Sequence, residues 1–179
     1  MNNPGPTGSG VYISFPSSPS PPLPRIEIDL SLAYGIGNNN IGEMLGLQAI
    51  LLILSRISSQ RTLPNTALVF SDSLTCILYL TANWPPPCNP VLAAQTRKLY
   101  RSFPRSSRPR LYWIRGHADI PLNERVDALA KKGANLAKKL PGNNLSIDIA
   151  FTPHGASPLP RLKEILLGAL SAPSIADLD

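Results

Sequence analysis

Three carboxylates stand where an αβ chain places reactive groups. Asp72 follows the apolar run 66–70, at the carboxyl end of a candidate strand. Glu43 opens a segment with apolar residues at helical spacing, and Asp127 lies in the first turns of another. Carboxylates converging on one point repel and need a cation, and hard oxygen donors suit Mg²⁺ or Mn²⁺. Taken singly, the same residues are ordinary: Glu43 and Asp127 as acids at helix starts, Asp72 as a cap. A second group is basic. Arg97, Lys98, Arg101, Arg105, Arg108, Arg110 and Arg115 follow one another with no acid between them, interleaved with Tyr100, Phe103, Tyr112 and Trp113. As a block this suits a polyanion, although any one member is equally a solvated side chain.

The elements that must position these residues are legible in outline. Val11–Phe15 and the alternating segment Arg25–Ala33 predict two strands around a proline-rich loop, 16–24. A helix is expected over 41–59, with Asn as its N-cap, then a central, covered strand over 66–70. Helices over 74–83 and 90–103, a strand over 110–114 and a helix over 122–140 complete the pattern. The order predicts an α/β fold, an antiparallel hairpin and parallel strands in a mixed sheet flanked by helices. Residues 1–140 are expected to form the domain, and 141–179 a flexible tail with one short helix near 161–170.

Composition narrows the function classes. The chain has 179 residues, with seventeen basic and eleven acidic side chains for a net charge of +6. Twenty prolines and twelve glycines require much loop. No run approaches ~18 uncharged apolar residues, so no membrane partner is expected. No secretory pattern opens the sequence, so an intracellular location with Cys76 and Cys88 as free thiols is the expectation.

The segment Trp113-Ile-Arg-Gly-His-Ala-Asp-Ile-Pro-Leu-Asn-Glu-Arg-Val-Asp-Ala-Leu-Ala resembles the signature of the type I ribonuclease H family. Phe70-Ser-Asp-Ser resembles its strand-ending Thr-Asp-Ser, and Asn39-Asn40-Ile-Gly-Glu43 its Asn-Asn-x-x-Glu. Asn3-Pro-Gly-Pro resembles its turn between the first two strands, so the likeness covers residues 1 to about 139 in order. It implies hydrolysis of the RNA strand of an RNA–DNA hybrid by two Mg²⁺ ions. By the same resemblance Glu43, Asp72 and Asp127 are metal ligands and His117 a loop histidine that assists proton transfer or product release. Asn3, Asn39 and Asn40 touch the hybrid's minor groove, and Arg97, Lys98, Arg101 and Arg115 lie near elements that grip phosphates. Asn123 and Glu124 read as helix caps.

One departure bears on activity. The family's first catalytic aspartate ends a strand ahead of the Asn-Pro-Gly-Pro turn, which here begins at Asn3. Glu27 and Asp29 lie on another strand and are expected to face solvent. The reading therefore expects a sheet without its first strand and a nuclease impaired for lack of that aspartate. The alternative is an inactive nucleic-acid-binding remnant of a retroelement reverse transcriptase.

Overall fold

Period-two alternation gives residues 26–32 one face for a core, and the extended conformation continues to Gly37. The computed structural model describes residues 5–15, 18–19, 22–23, 25–60, 67–116, 120–140, 144–152 and 161–170. Strand β1 (Gly5–Phe15) leads through a two-residue ladder, β2 (Ser18–Pro19) with β3 (Pro22–Leu23), into β4 (Ile26–Gly37). β1 and β4 pair antiparallel along their length, with an irregularity at Pro6/Thr7. The segment 16–24 was expected not to pair. It does so locally because a two-stranded ladder consists of edges, where proline is tolerated.

Helix α1 (Asn39–Gln60) starts at the Asn38 side chain, whose Oδ1 accepts from the Ile41 amide at 3.1 Å. Strand β5 (Leu68–Ser71), α2 (Leu74–Thr81) and α3 (Pro90–Ser102) follow, and β6 (Arg110–Trp113) pairs parallel with β5. Asn89 caps α3 by accepting from the amides of Val91 and Leu92 at 2.9 and 3.2 Å, with proline at the first turn. Helix α4 (Pro121–Ala137), strand β7 (Leu145–Thr152) and α5 (Leu162–Leu170) complete the described chain.

The architecture is α/β, as the sequence predicts, with antiparallel and parallel strands flanked by helices. The strands divide into separate ladders: the antiparallel sheet β1-β4-β7 and the parallel pair β5-β6. α1 serves both. Leu45, Ala49, Ile53 and Ile57 join the core over β1, β4 and β7, while Met44, Leu47, Leu51 and Leu54 join Val69, Cys76, Leu80 and Tyr100. Residues Asn39–Ile57 are long and apolar enough to cross a bilayer, which the sequence reading did not anticipate. In this fold the segment is a core helix packed on both clusters.

Two further expectations are corrected. Residues 145–152 and 162–170 were expected in a flexible tail outside the core. Instead β7 pairs with β4 from Glu27↔Thr152 to Tyr34↔Leu145, and Leu162, Leu166 and Leu170 are buried in the first cluster. The signal was present: Leu145, Ile147, Ile149 and Phe151 alternate with smaller or polar residues. The strand over 66–70 was expected to be central and covered, yet among the described residues β5 pairs only with β6 and exposes Leu68 and Phe70.

Glycine sets the place of α4. A methyl group at Gly8 would lie 2.1 Å from the Ala134 nitrogen, one at Gly10 2.0 Å from the Val126 oxygen, and one at Gly133 2.2 Å from the Leu32 oxygen. Only glycine permits this approach of helix to sheet. Glu27 and Asp29, expected to face solvent, meet α4 instead: Arg125 reaches Glu27 at 3.2 Å and Asp29 at 2.7 Å while lying over the Tyr12 ring.

Two substitutions test this packing by thermal melting. Gly133→Ala should destabilise by about 1–3 kcal/mol through overpacking. Leu166→Ala, in α5, should cost about 2–5 kcal/mol through a cavity. A melting temperature unchanged by Leu166→Ala would return α5 to the tail.

Candidate functional site

The carboxyl end of β5 meets the first turns of α1. There the Ser73 hydroxyl donates to Glu43 Oε2, bridging the segment after β5 to the helix. Asp72 is adjacent, and its carbonyl accepts from the Trp113 indole N–H at 3.0 Å, which ties the ends of β5 and β6 together. Ser71 Oγ accepts from the Ser73 amide at 3.1 Å and shapes this turn. Gly116 lies against Asp72, where a methyl group would stand 3.0 Å from Oδ2.

Burial pushes the Glu43 carboxyl above the usual carboxylate range; the Ser73 hydrogen bond opposes this and the Asp72 charge adds to it. Two carboxylates thus meet in a partly desolvated place, an arrangement that a cation relieves. The cysteines offer no competing chemistry. Burial holds the Cys76 thiol up at about 11 and Cys88 at about 12, so neither supplies thiolate near neutrality. Both are free.

Of the sequence-expected metal ligands, Glu43 and Asp72 come together. The described residues contain no group of three or more His, Cys, Asp or Glu side chains able to share a metal, so Asp127 does not complete the set. The reason is its helix. α4 is seated on β1 and β4 by the glycine contacts, whereas Asp72 belongs to the other sheet. His117 and Asn3 lie outside the described residues.

The expected nucleic-acid contacts also divide. Asn39 is exposed at the start of α1, while Asn40 Nδ2 donates to the Pro87 carbonyl at 2.8 Å and holds the loop before α3. Arg97 donates to the Ala82 carbonyl and lies 4.4 Å from the Tyr79 ring centroid, so it rivets α3 to α2. Arg108 does similar work on the carbonyls of Arg101 and Phe103. Lys98, Arg101, Arg105, Arg110 and Arg115 remain exposed. Asn123 is buried at the third position of α4 rather than capping it, and its Nδ2 has no acceptor among the described residues. Sequence reasoning missed Ser73, the residue directly after Asp72.

The geometry defines an α/β protein with a carboxylate pair at the carboxyl end of a parallel strand. No family model matches the chain. It is similar to proteins named Ribonuclease H from Tropheryma whipplei strains Twist and TW08/27. Each is 27% identical over 144 residues, covering 75% of this chain and 79% of the relative.

The raised Glu43 carboxyl makes a pH prediction. The folded state holds this proton more tightly than the unfolded chain, so the group's contribution to stability is full below about 4.5 and declines as pH rises past it. In EDTA, Glu43→Gln should melt higher than the natural chain at pH 7.5 and equal to it at pH 4. A lower melting temperature at pH 7.5 would show that the ionised carboxylate is not penalised.

Proposed function

We propose that this chain is a ribonuclease H-type hydrolase domain that engages RNA–DNA hybrids and cleaves poorly as it stands. The observation that carries the reading is the Glu43–Asp72 pair at the end of β5, joined by Ser73. The similarity to Ribonuclease H proteins over 144 residues supports it.

The donor set fits a hard divalent ion in part. Glu43 and Asp72 would hold Mg²⁺ or Mn²⁺, which in such enzymes activates water and stabilises a leaving oxygen. Two ions need more carboxylates than these, and Asp127 is not gathered with them, so no cleavage step is derived. The chain's own contribution is binding: Lys98, Arg101 and Arg115 neutralise phosphates, and Asn39 presents a carboxamide at the start of α1. His117, directly after Gly116 in sequence, and Asn3 take their roles from the family resemblance alone.

The impairment rests on the described residues, among which no aspartate-bearing strand lies between β1 and β5. Among the described residues each of these strands pairs on one side only. They also occupy neighbouring stripes of α1: Gly42 and Gly46 lie against Gly8 and Ser9, while Glu43 meets Ser73. The second reading, a binding remnant of retroelement descent, is favoured by the separation of Asp127 from the pair. The proline- and serine-rich segment 16–24 suits such descent.

The test assays a labelled hybrid with Mg²⁺, using the chain and a version extended by a strand ending in Asp-Gly-Ser. The chain alone should stay near background, and the extended form should cut only RNA, a cut abolished by Asp72→Asn. Robust cleavage by the unextended chain would overturn the impairment. Inactivity of both forms, with retained hybrid binding, would favour the remnant. Binding should weaken with salt at a log–log slope of roughly −3 to −5 if the five exposed cations each meet a phosphate.

A further inference from the structure

Parallel strands are ordinarily covered on both faces. Here the inner face of β5-β6 packs Val69 and Leu111 on the second core cluster, but the outer face is open. Leu68, Phe70 and Tyr112 are 56%, 57% and 42% exposed. α4 is seated over β1, β4 and β7 instead. Phe70 and Tyr112 are register partners whose rings stack, with centroids 5.5 Å apart and planes inclined by 26°. Leu68 and Arg110 form another rung of the same pair. Arg110 and Arg115 are exposed, and neither forms an ion pair among the described residues.

We propose that this face binds single-stranded nucleic acid, with a base continuing the Phe70–Tyr112 stack and Arg110 and Arg115 taking the flanking phosphates. Three features select this occupant. The two rings already form a stack, and among the described residues β5 has no strand beyond Phe70, which leaves one end of that stack open. The flanking charges are positive and lack acidic partners. Three apolar side chains are also far short of the ~800 Å² per partner that a stable protein interface buries. Bases have apolar π-faces and carry their charge on a separate backbone, so aromatic and cationic groups side by side match a single strand. Phe70 is two residues from Asp72, so a strand on this face runs toward the carboxylate pair. The inference goes beyond the nuclease reading and needs no cleavage, although both use the unpaired side of β5.

The test is fluorescence anisotropy of labelled single strands of about 12 nucleotides, at low salt in EDTA so that no cleavage intervenes. Leucine at both ring positions (Phe70→Leu with Tyr112→Leu) keeps apolar area and removes the π-faces. It should weaken binding by roughly 5- to 100-fold, the range expected for a lost base stack. Arg110→Ala should weaken binding and make it less salt-dependent. Circular dichroism and sedimentation of each variant accompany the titration. Binding by the double leucine variant within twofold of the natural chain would overturn the proposal, as would failure of the natural chain to bind. A natural dimer abolished by the same variant would assign the face to a second copy and equally overturn it.

Discussion

Two ladders that share no rung among the described residues must be held in register by something else, and that element is α1. One stripe of the helix is buried against the antiparallel sheet, and a neighbouring stripe packs on the cluster beneath β5 and β6. Burial of apolar surface at roughly 25 cal/mol per Å² is the force available for this, because among the described residues no backbone ladder crosses between the sheets. The same helix carries Glu43 in its early turns, so packing of α1 and placement of a carboxylate beside Asp72 are one constraint.

The site inherits its electrostatics from that placement. Burial of Glu43 at the start of α1 raises its pKa, and the nearby Asp72 charge adds to the rise. The Ser73 hydroxyl offsets part of the penalty with a hydrogen bond. α4 obeys a different constraint, since backbone contact at Gly8, Gly10 and Gly133 leaves it no freedom to approach the parallel pair.

Local signals were strong enough to read most of the elements. The period-two pattern of Ile26, Ile28, Leu30 and Leu32 and the helical stripe of α1 lie in continuous sequence, as does the asparagine cap. β7 alternates just as clearly, but in a short segment among proline and glycine, where composition outweighed period. What sequence could not carry was pairing. An apolar run such as 66–70 reads as a covered strand, and only the topology shows Leu68 and Phe70 left open. At the site, Glu43 and Asp72 were legible from type and position, whereas their link through Ser73 depends on distance. Arg97 and Arg108 looked like free cations because spacing does not reveal the Tyr79 ring or the loop carbonyls they serve.

Residue-resolved amide hydrogen exchange of the full chain tests the claim that α1 joins two separately paired sheets. The amides of α1 between Leu45 and Leu54 and those of β4 should exchange slowest. Those of β5 and β6 should exchange through a separate opening of lower free energy. Protection of β5 and β6 equal to that of β4 would contradict the account, because it would require the two sheets to open as one.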